Sequence, residues 1–177
     1  KSATARACCQ MYRRTMRSTT RFLACLLIGA MPALAYAGTS DAADAAQRKD
    51  LAALRGMVSK RVDVNAPQPD GTTALHWAAH WNDVEAVKLL IGAGAKAATT
   101  NRFGASPLSE AATSGNADLV KVLLDAGADA KALSTPDGET VLMSAARSGN
   151  VESVRMLLDR GADVNARERY KGQTALM

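Results

Sequence analysis

The stretch GASPLSEAATSGNADLVKVLLDAGADA, residues 104–130, recurs along the chain with the same order of residue types. It aligns with GTTALHWAAHWNDVEAVKLLIGAGAKA from residue 71 and with GETVLMSAARSGNVESVRMLLDRGADV from residue 138. GQTALM from residue 172 begins a further copy, so the spacings are 33, 34 and 34 residues. A fixed period of this length indicates stacked copies of one small unit.

Each copy carries the signals of a first helix. A hydroxyl side chain stands before it, where it can cap free backbone N–H groups for about 1 kcal/mol, and Pro107 suits the first helical position. Paired alanines such as Ala111 and Ala112 permit neighbouring copies to stack closely, because larger side chains there would push them apart. The predicted capping residues are Thr73, Ser106, Thr140 and Thr174.

A second helix follows in each copy. Gly115 and Gly149 can end the first helix in the left-handed conformation, and Asn116 and Asn150 can cap the second. The aligned glycines Gly94, Gly127 and Gly161 are predicted to stop the second helix. Its apolar side chains have helical spacing and are expected in a shared core: Val87, Leu89, Leu90, Val120, Val122, Leu123, Leu124, Val154, Leu157 and Leu158.

The period and the succession Thr-x-Leu-His, Ala-Ala, Gly-Asn, Val-x-x-Leu-Leu and Gly-Ala-Asp-Val-Asn resemble the ankyrin repeat over about residues 40–177. The resemblance implies an all-α solenoid in which a hairpin turn precedes each pair of helices. It also implies that His76 is hydrogen-bonded to Thr73 and to neighbouring backbone at the base of the hairpins. Ser109 and Met143 replace this histidine in the next two copies, which is expected to weaken that network, and Met143 is expected only to pack.

The period divides the chain into units. Residues 38–66 are interpreted as a degenerate N-terminal capping repeat, because their end matches the later copies but Arg61 replaces the usual glycine. We expect the last copy to continue beyond Met177, since a repeat cannot bury its face alone. The full repeats are predicted at 67–99, 100–133 and 134–167, followed by the start of another at 168–177.

Residues 1–37 have the pattern of a secretory signal peptide. They hold six of the 22 basic side chains and no acidic one, followed by an apolar run from Phe22 to Ala35 and the Ala-x-Ala triplet at 35–37. The run is about 14 residues long and contains Pro32, whereas a membrane span needs roughly 20, so an uncleaved anchor is the weaker alternative. The chain is thus similar to exported bacterial ankyrin-repeat proteins, acting in the periplasm or outside the cell.

Charge and cysteine placement exclude several classes of function. Residues 38–177 hold 16 basic against 17 acidic side chains, so we expect no nucleic-acid partner. We also expect no stable membrane span in the mature chain, because the apolar run lies in the leader. Cys8, Cys9 and Cys25 all lie in the leader. The predicted mature chain therefore has no disulfide, thiol nucleophile or cysteine metal site.

The chain shows no convincing catalytic or metal pattern. His76 and His80 are the only histidines, and Trp77 stands where a zinc-protease helix needs its glutamate. A zinc site also needs about four ligands, or three and a water. The glycine-rich Gly92–Lys96 lacks the full phosphate-loop pattern. We therefore predict no enzyme activity, cofactor or metal.

The predicted function is protein–protein interaction by a monomeric array, through hairpin tips and the concave ends of the first helices. Trp81 is either a binding anchor or a half-buried side chain folded over its neighbour; Phe103 and Tyr170 are either exposed at hairpin tips or packed on the adjacent hairpin. Alternatives are the repeat portion of a longer enzyme and a structural or protective envelope protein. The predicted partner-binding residues are Asp70, Thr72, His80, Trp81, Arg102, Phe103, Thr113, Ser114, Asp137, Glu139, Arg147, Tyr170 and Lys171.

Overall fold

A computed structural model describes residues 40–177. The predicted signal peptide at 1–37 and the first residues of the capping repeat lie outside these described residues. Within them, no helix has both the length and the apolar character needed to cross a bilayer. The eight helices of this part are α1 (Asp41–Gln47), α2 (Leu51–Ser59), α3 (Ala74–His80), α4 (Val84–Gly92), α5 (Pro107–Ser114), α6 (Ala117–Asp125), α7 (Val141–Ser148) and α8 (Val151–Asp159).

The helices form two layers. The first helices α1, α3, α5 and α7 pack side by side in one layer, and α2, α4, α6 and α8 pack in the other. Each first helix also packs against the second helix that follows it. The result is an ankyrin-type solenoid in which every pair of helices contacts mainly the pairs before and after it.

Hairpin loops connect successive pairs of helices. We name them H1 (68–72), H2 (101–105), H3 (134–139) and H4 (168–173). Each is closed by a backbone hydrogen bond from its first to its last residue, such as Gln68 N–H to the Thr72 oxygen at 2.8 Å and Ser134 N–H to the Glu139 oxygen at 2.6 Å. H3 and H4 close over one more residue than H1 and H2, which explains the change of spacing from 33 to 34.

The predicted helix boundaries follow from local capping chemistry. Gly115 ends α5 with a φ of +70°, and the side-chain oxygen Oδ1 of Asn116 accepts the Leu119 N–H at 3.2 Å to begin α6. Gly149 and Asn150 do the same between α7 and α8. Gly94, Gly127 and Gly161 follow the second helices with positive φ, as expected. Arg61, in the degenerate repeat, adopts the same left-handed conformation at a φ of 55°, which costs a non-glycine residue about 1 kcal/mol or more.

The core lies between the two layers and runs through the stack. Leu90, Leu123 and Leu157 are fully buried at equivalent positions of α4, α6 and α8, and Ala111 and Ala112 are buried where α5 meets its neighbours. The burial of these alanines agrees with the close stacking expected from their size.

Two expectations at the end of the array need correction. Leu158 is 41% exposed rather than in the core, because no described helix packs on the far side of α8. Thr174 begins no helix in the described residues, and its hydroxyl oxygen instead accepts the Leu176 N–H at 3.4 Å in a turn. Burial at a repeat position depends on a neighbouring unit, which local sequence does not encode.

Replacing Ser153 with alanine is expected to raise the free energy of unfolding by about 1 kcal/mol. Ser153 is fully buried in α8, and its hydroxyl is the one buried side-chain oxygen or nitrogen in residues 40–177 that lacks a hydrogen-bond partner. Urea denaturation followed by circular dichroism measures the change. Ser144→Ala is the matched control, since that buried hydroxyl contacts Ser134 and Glu139 and its loss should destabilise. Lower stability of Ser153→Ala would contradict this account.

Candidate functional site

The hairpin tips and the ends of the first helices form one surface, which we call the tip row. It comprises the thirteen predicted partner-binding residues. Asp70 and Glu139 are half-buried and Thr72 is buried. The exposed members are His80, Trp81, Arg102, Phe103, Thr113, Ser114, Asp137, Arg147, Tyr170 and Lys171.

Thr72 belongs to the scaffold rather than to the surface. It is 6% exposed, and its hydroxyl oxygen accepts a hydrogen bond from the Asn101 side-chain amide at 3.3 Å. Thr72 was predicted to contact a partner, but it is buried and joins H1 to H2 instead. The neighbouring Asp70 carboxylate accepts the Thr72 N–H at 2.9 Å, and this hydrogen bond holds the pKa of Asp70 below its ordinary value.

His76 joins two successive repeats. Its Nδ1 accepts the Thr73 N–H at 3.1 Å and lies 2.9 Å from the Thr73 hydroxyl, while its Nε2 lies 3.2 Å from the carbonyl oxygen of Ala105 in H2. Because a backbone N–H can only donate, Nδ1 is the bare nitrogen and Nε2 carries the proton. Burial lowers the pKa of His76, which favours this neutral form. His76 thus makes the hydrogen bonds that the resemblance to ankyrin repeats implied, to Thr73 and to the backbone of the neighbouring hairpin.

The residues that replace this histidine bond only within their own repeat. The Ser109 hydroxyl accepts the Ser106 N–H and donates to the Ser106 carbonyl, each at 2.8 Å. The Met143 sulfur accepts the Thr140 N–H at 3.4 Å, so the expectation that Met143 only packs is corrected. Thioether sulfur is a weak acceptor, and neither side chain has a hydrogen bond to the next hairpin.

Trp81 packs over its neighbours and is only partly available. It is 39% exposed, its Nε1 donates to the Gln47 carbonyl oxygen at 3.2 Å, and the Lys49 ammonium lies 4.0 Å from the ring centre. The Trp77 ring stacks beside it with centroids 6.3 Å apart. Through these contacts, the residues at the end of α1 pack against the end of α3. A cation over a tryptophan ring contributes about 0.5–1 kcal/mol to stability at an exposed site.

Two acidic groups on or beside the tip row are engaged by neighbours. His80 Nδ1 lies 3.0 Å from a carboxylate oxygen of Glu110 in the next repeat, and Arg147 forms an ion pair with Glu139. Glu139 also accepts the Ser144 hydroxyl at 2.9 Å. Exposed pairs of this kind add about 0–1 kcal/mol each to stability.

Phe103 and Tyr170 are the most exposed of the large aromatic side chains of the row, at 64% and 82% exposure, against 39% for Trp81. Neither is covered by the adjacent hairpin. The backbone beneath Phe103 is held firmly, because its N–H donates to the Asn101 side chain at 3.0 Å and the preceding Arg102 N–H donates to the Asp70 carbonyl at 2.9 Å. Tyr170 N–H donates to Glu168 at 2.7 Å.

Comparison with protein families agrees with this geometry. A family model for ankyrin repeats in three copies matches residues 42–134, and a model for the single ankyrin repeat matches residues 137–169. The chain belongs to the ankyrin-repeat family. A search of curated proteins found no match. Ankyrin repeats are generally protein-interaction modules, and the repeats themselves are non-catalytic scaffolds.

In the described part of this ankyrin array, an open pocket of about 640 Å³ lies beside α7, H3 and H4. Met143, Arg147, Tyr170 and Leu176 are among its lining residues. Within residues 40–177 no group of three or more His, Cys, Asp or Glu side chains is placed to hold a metal ion.

A polar cluster that the sequence pattern did not predict lies where the first ankyrin unit meets the second. The Gln68 side-chain amide donates to Asp44 at 2.8 Å and to Gln47 at 3.0 Å, and its oxygen accepts the Trp77 Nε1–H at 2.8 Å. The hydrogen bond from Gln68 lowers the pKa of Asp44. Aligning Asp50 with the helix-capping Asp83 would have placed Asp44 at the position of Trp77 and suggested this cluster.

Proposed function

We propose that this ankyrin array binds a protein partner through the tip row, with Phe103 and Arg102 at the centre of the contact. The observation that carries the proposal is the 64% exposure of Phe103 on a hydrogen-bonded hairpin in the middle of the array. An exposed aromatic ring on a rigid backbone can be buried by a partner with little loss of conformational entropy. Aromatic and arginine side chains also dominate binding energy at interfaces.

Phe103 is a better anchor than Trp81 for a physical reason. The indole N–H of Trp81 already has an acceptor, and Lys49 and Trp77 lie beside its ring. A partner would have to displace these contacts before gaining new ones. Tyr170 has no such contacts and extends the row beyond H3, which supports a second aromatic contact at H4.

Capture from cell extract by the full chain tests this proposal. A protein retained by the unchanged chain and identified by mass spectrometry should be lost with Phe103→Ala and reduced with Arg102→Ala. Arg155→Ala is the matched control, because Arg155 is an exposed arginine on α8 in the opposite layer. Equal retention by the Phe103 variant, or loss with the Arg155 variant, would contradict a contact centred on the tip row.

We further propose that the chain acts outside the cytoplasm of a bacterial cell, in the periplasm or the medium. The basic start, the apolar run and the Ala-x-Ala triplet of residues 1–37 support export. Expression in a bacterial host, fractionation and N-terminal sequencing test this. A mature chain beginning at Gly38 outside the cytoplasm is expected, whereas an uncleaved chain retained in the cytoplasm would contradict it.

A further inference from the structure

The junctions between successive hairpins are not alike. The Arg102 N–H of H2 donates to the Asp70 carbonyl of H1 at 2.9 Å, and the Arg169 N–H of H4 donates to the Asp137 carbonyl of H3 at 2.8 Å. Among the described residues, no hydrogen bond joins H2 to H3. Phe103 precedes Gly104 as Asp70 precedes Gly71 and Asp137 precedes Gly138. Its backbone carbonyl, however, accepts no N–H from the next hairpin.

Pro136 explains the missing bond. A Cβ placed on Gly71 would lie 3.5 Å from the Arg102 nitrogen, and one on Gly138 would lie 3.6 Å from the Arg169 nitrogen. At the middle junction the corresponding contact of Gly104 is with the Pro136 nitrogen, at 3.4 Å. Proline has no N–H, so the nitrogen that faces the preceding hairpin cannot donate.

A second connection is missing at the same junction. Between H1 and H2, the His76 Nε2 reaches the Ala105 carbonyl at 3.2 Å. Between H2 and H3 the equivalent residue is Ser109, whose hydroxyl bonds to Ser106 of its own repeat. Both substitutions remove hydrogen bonds between H2 and H3, whereas the H3–H4 junction lacks only the imidazole bond and keeps the bond from Arg169 to Asp137.

The opposite edge of this junction is firmly joined. The Asn150 side-chain amide donates to the Gly115 carbonyl at 2.7 Å, and an Arg160 nitrogen donates to the Leu124 carbonyl at 2.8 Å. Arg160 also pairs with Asp125. The connections between these two repeats thus lie at the turns and ends of the helices, and the hairpins meet only by packing.

We propose that the H2–H3 junction is a flexible joint within the array. The hairpin edge opens and closes about the bonded helical edge, and this motion changes the separation of Phe103 and Asp137 on the tip row. The array can thereby widen its surface at the centre while the flanking junctions keep their spacing. The joint follows from the bonding pattern alone and does not depend on the proposed partner.

Paired spin labels test the motion directly in the full chain with Cys8, Cys9 and Cys25 replaced by serine. One pair, Phe103→Cys with Asp137→Cys, spans the joint; the other, Asp137→Cys with Lys171→Cys, spans the bonded H3–H4 junction. We expect the distance distribution of the first pair to be about twice as wide as that of the second. Equal widths would overturn the proposal.

Restoring the missing bonds tests the cause. Pro136→Ala supplies an N–H toward Phe103, and Ser109→His supplies the ring that His76 provides in the preceding repeat; each should narrow the distance distribution of the first label pair.

Pro69→Ala is the matched control, because Pro69 lies at an exposed tip with no preceding hairpin in the described residues. Both proline replacements raise the conformational entropy of the unfolded chain by a similar amount. One net hydrogen bond should leave Pro136→Ala with an unfolding equilibrium constant about fivefold lower than that of Pro69→Ala. No narrowing by either variant, or no difference between the proline variants, would overturn it.

Discussion

Replacing Leu123 with alanine is expected to lower the free energy of unfolding by about 3 kcal/mol, within the range of about 2–5 kcal/mol for buried leucines. Leu123 is fully buried in α6, which packs against α4 on one side and α8 on the other. Truncation removes apolar contacts and leaves a cavity that the flanking helices cannot fill without moving. The loss therefore falls on both interfaces of the central repeat.

Urea denaturation followed by circular dichroism measures this loss. Leu158→Ala is the matched control, because Leu158 is 41% exposed at the end of the second layer and should lose less than about 1.5 kcal/mol. The two leucines occupy neighbouring positions of the repeat pattern, so the comparison isolates burial from residue type. Equal losses at both positions would show that Leu123 is not at the centre of a stacked core.

Replacing His76 with alanine is expected to cost about 2–3 kcal/mol. The change leaves the buried Thr73 N–H and the Ala105 carbonyl without their imidazole partners, and each unpaired buried group costs about 1–3 kcal/mol. The cost is larger than that of an ordinary surface hydrogen bond because one side chain joins two repeats. His80→Ala is the control, since His80 is exposed and its partner Glu110 can be solvated. A smaller loss for His76→Ala than for His80→Ala would contradict this role.

The same histidine gives the fold a dependence on pH. Burial lowers the pKa of His76 in the folded chain below its ordinary value of 6.5, so the unfolded chain binds the proton more readily. Its contribution to stability is complete above pH 6.5 and falls as the pH drops from there toward the lower folded pKa. We expect the unchanged chain to lose more stability between pH 7.5 and 5.5 than His76→Ala does. An identical loss in the two proteins would be inconsistent with a neutral buried imidazole.

Local sequence predicted the helix pairs well because their boundaries depend on nearby residues. Gly115 and Asn116 end one helix and begin the next within their own turn, and no distant contact is needed to choose that conformation. Leu158 was wrongly expected in the core because its burial depends on a unit stacked against α8. Thr72 was wrongly expected at the surface because it contacts Asn101 of the next hairpin.

The candidate surface was harder to predict than the fold. The repeat pattern and the resemblance indicated which positions belong to the tip row, but the partners of their side chains lie in other repeats or several residues away. Lys49 covers Trp81, and Glu110 contacts His80, at separations of 32 and 30 residues. Such contacts depend on how one unit is rotated on the next, which the period does not specify. The contacts of Trp81 and the exposure of Phe103 support Phe103 as the anchor of the proposed contact.

The most direct test of a binding surface centred on Phe103 is the dissociation constant of a captured partner, measured by titration calorimetry with the unchanged chain and two variants. Phe103→Ala should raise the dissociation constant at least tenfold, because an exposed aromatic anchor that a partner buries contributes about 1.4 kcal/mol or more. Arg155→Ala, in the opposite layer, should change it less than about twofold. An unchanged dissociation constant for Phe103→Ala would contradict the account, as would an equal weakening by Arg155→Ala.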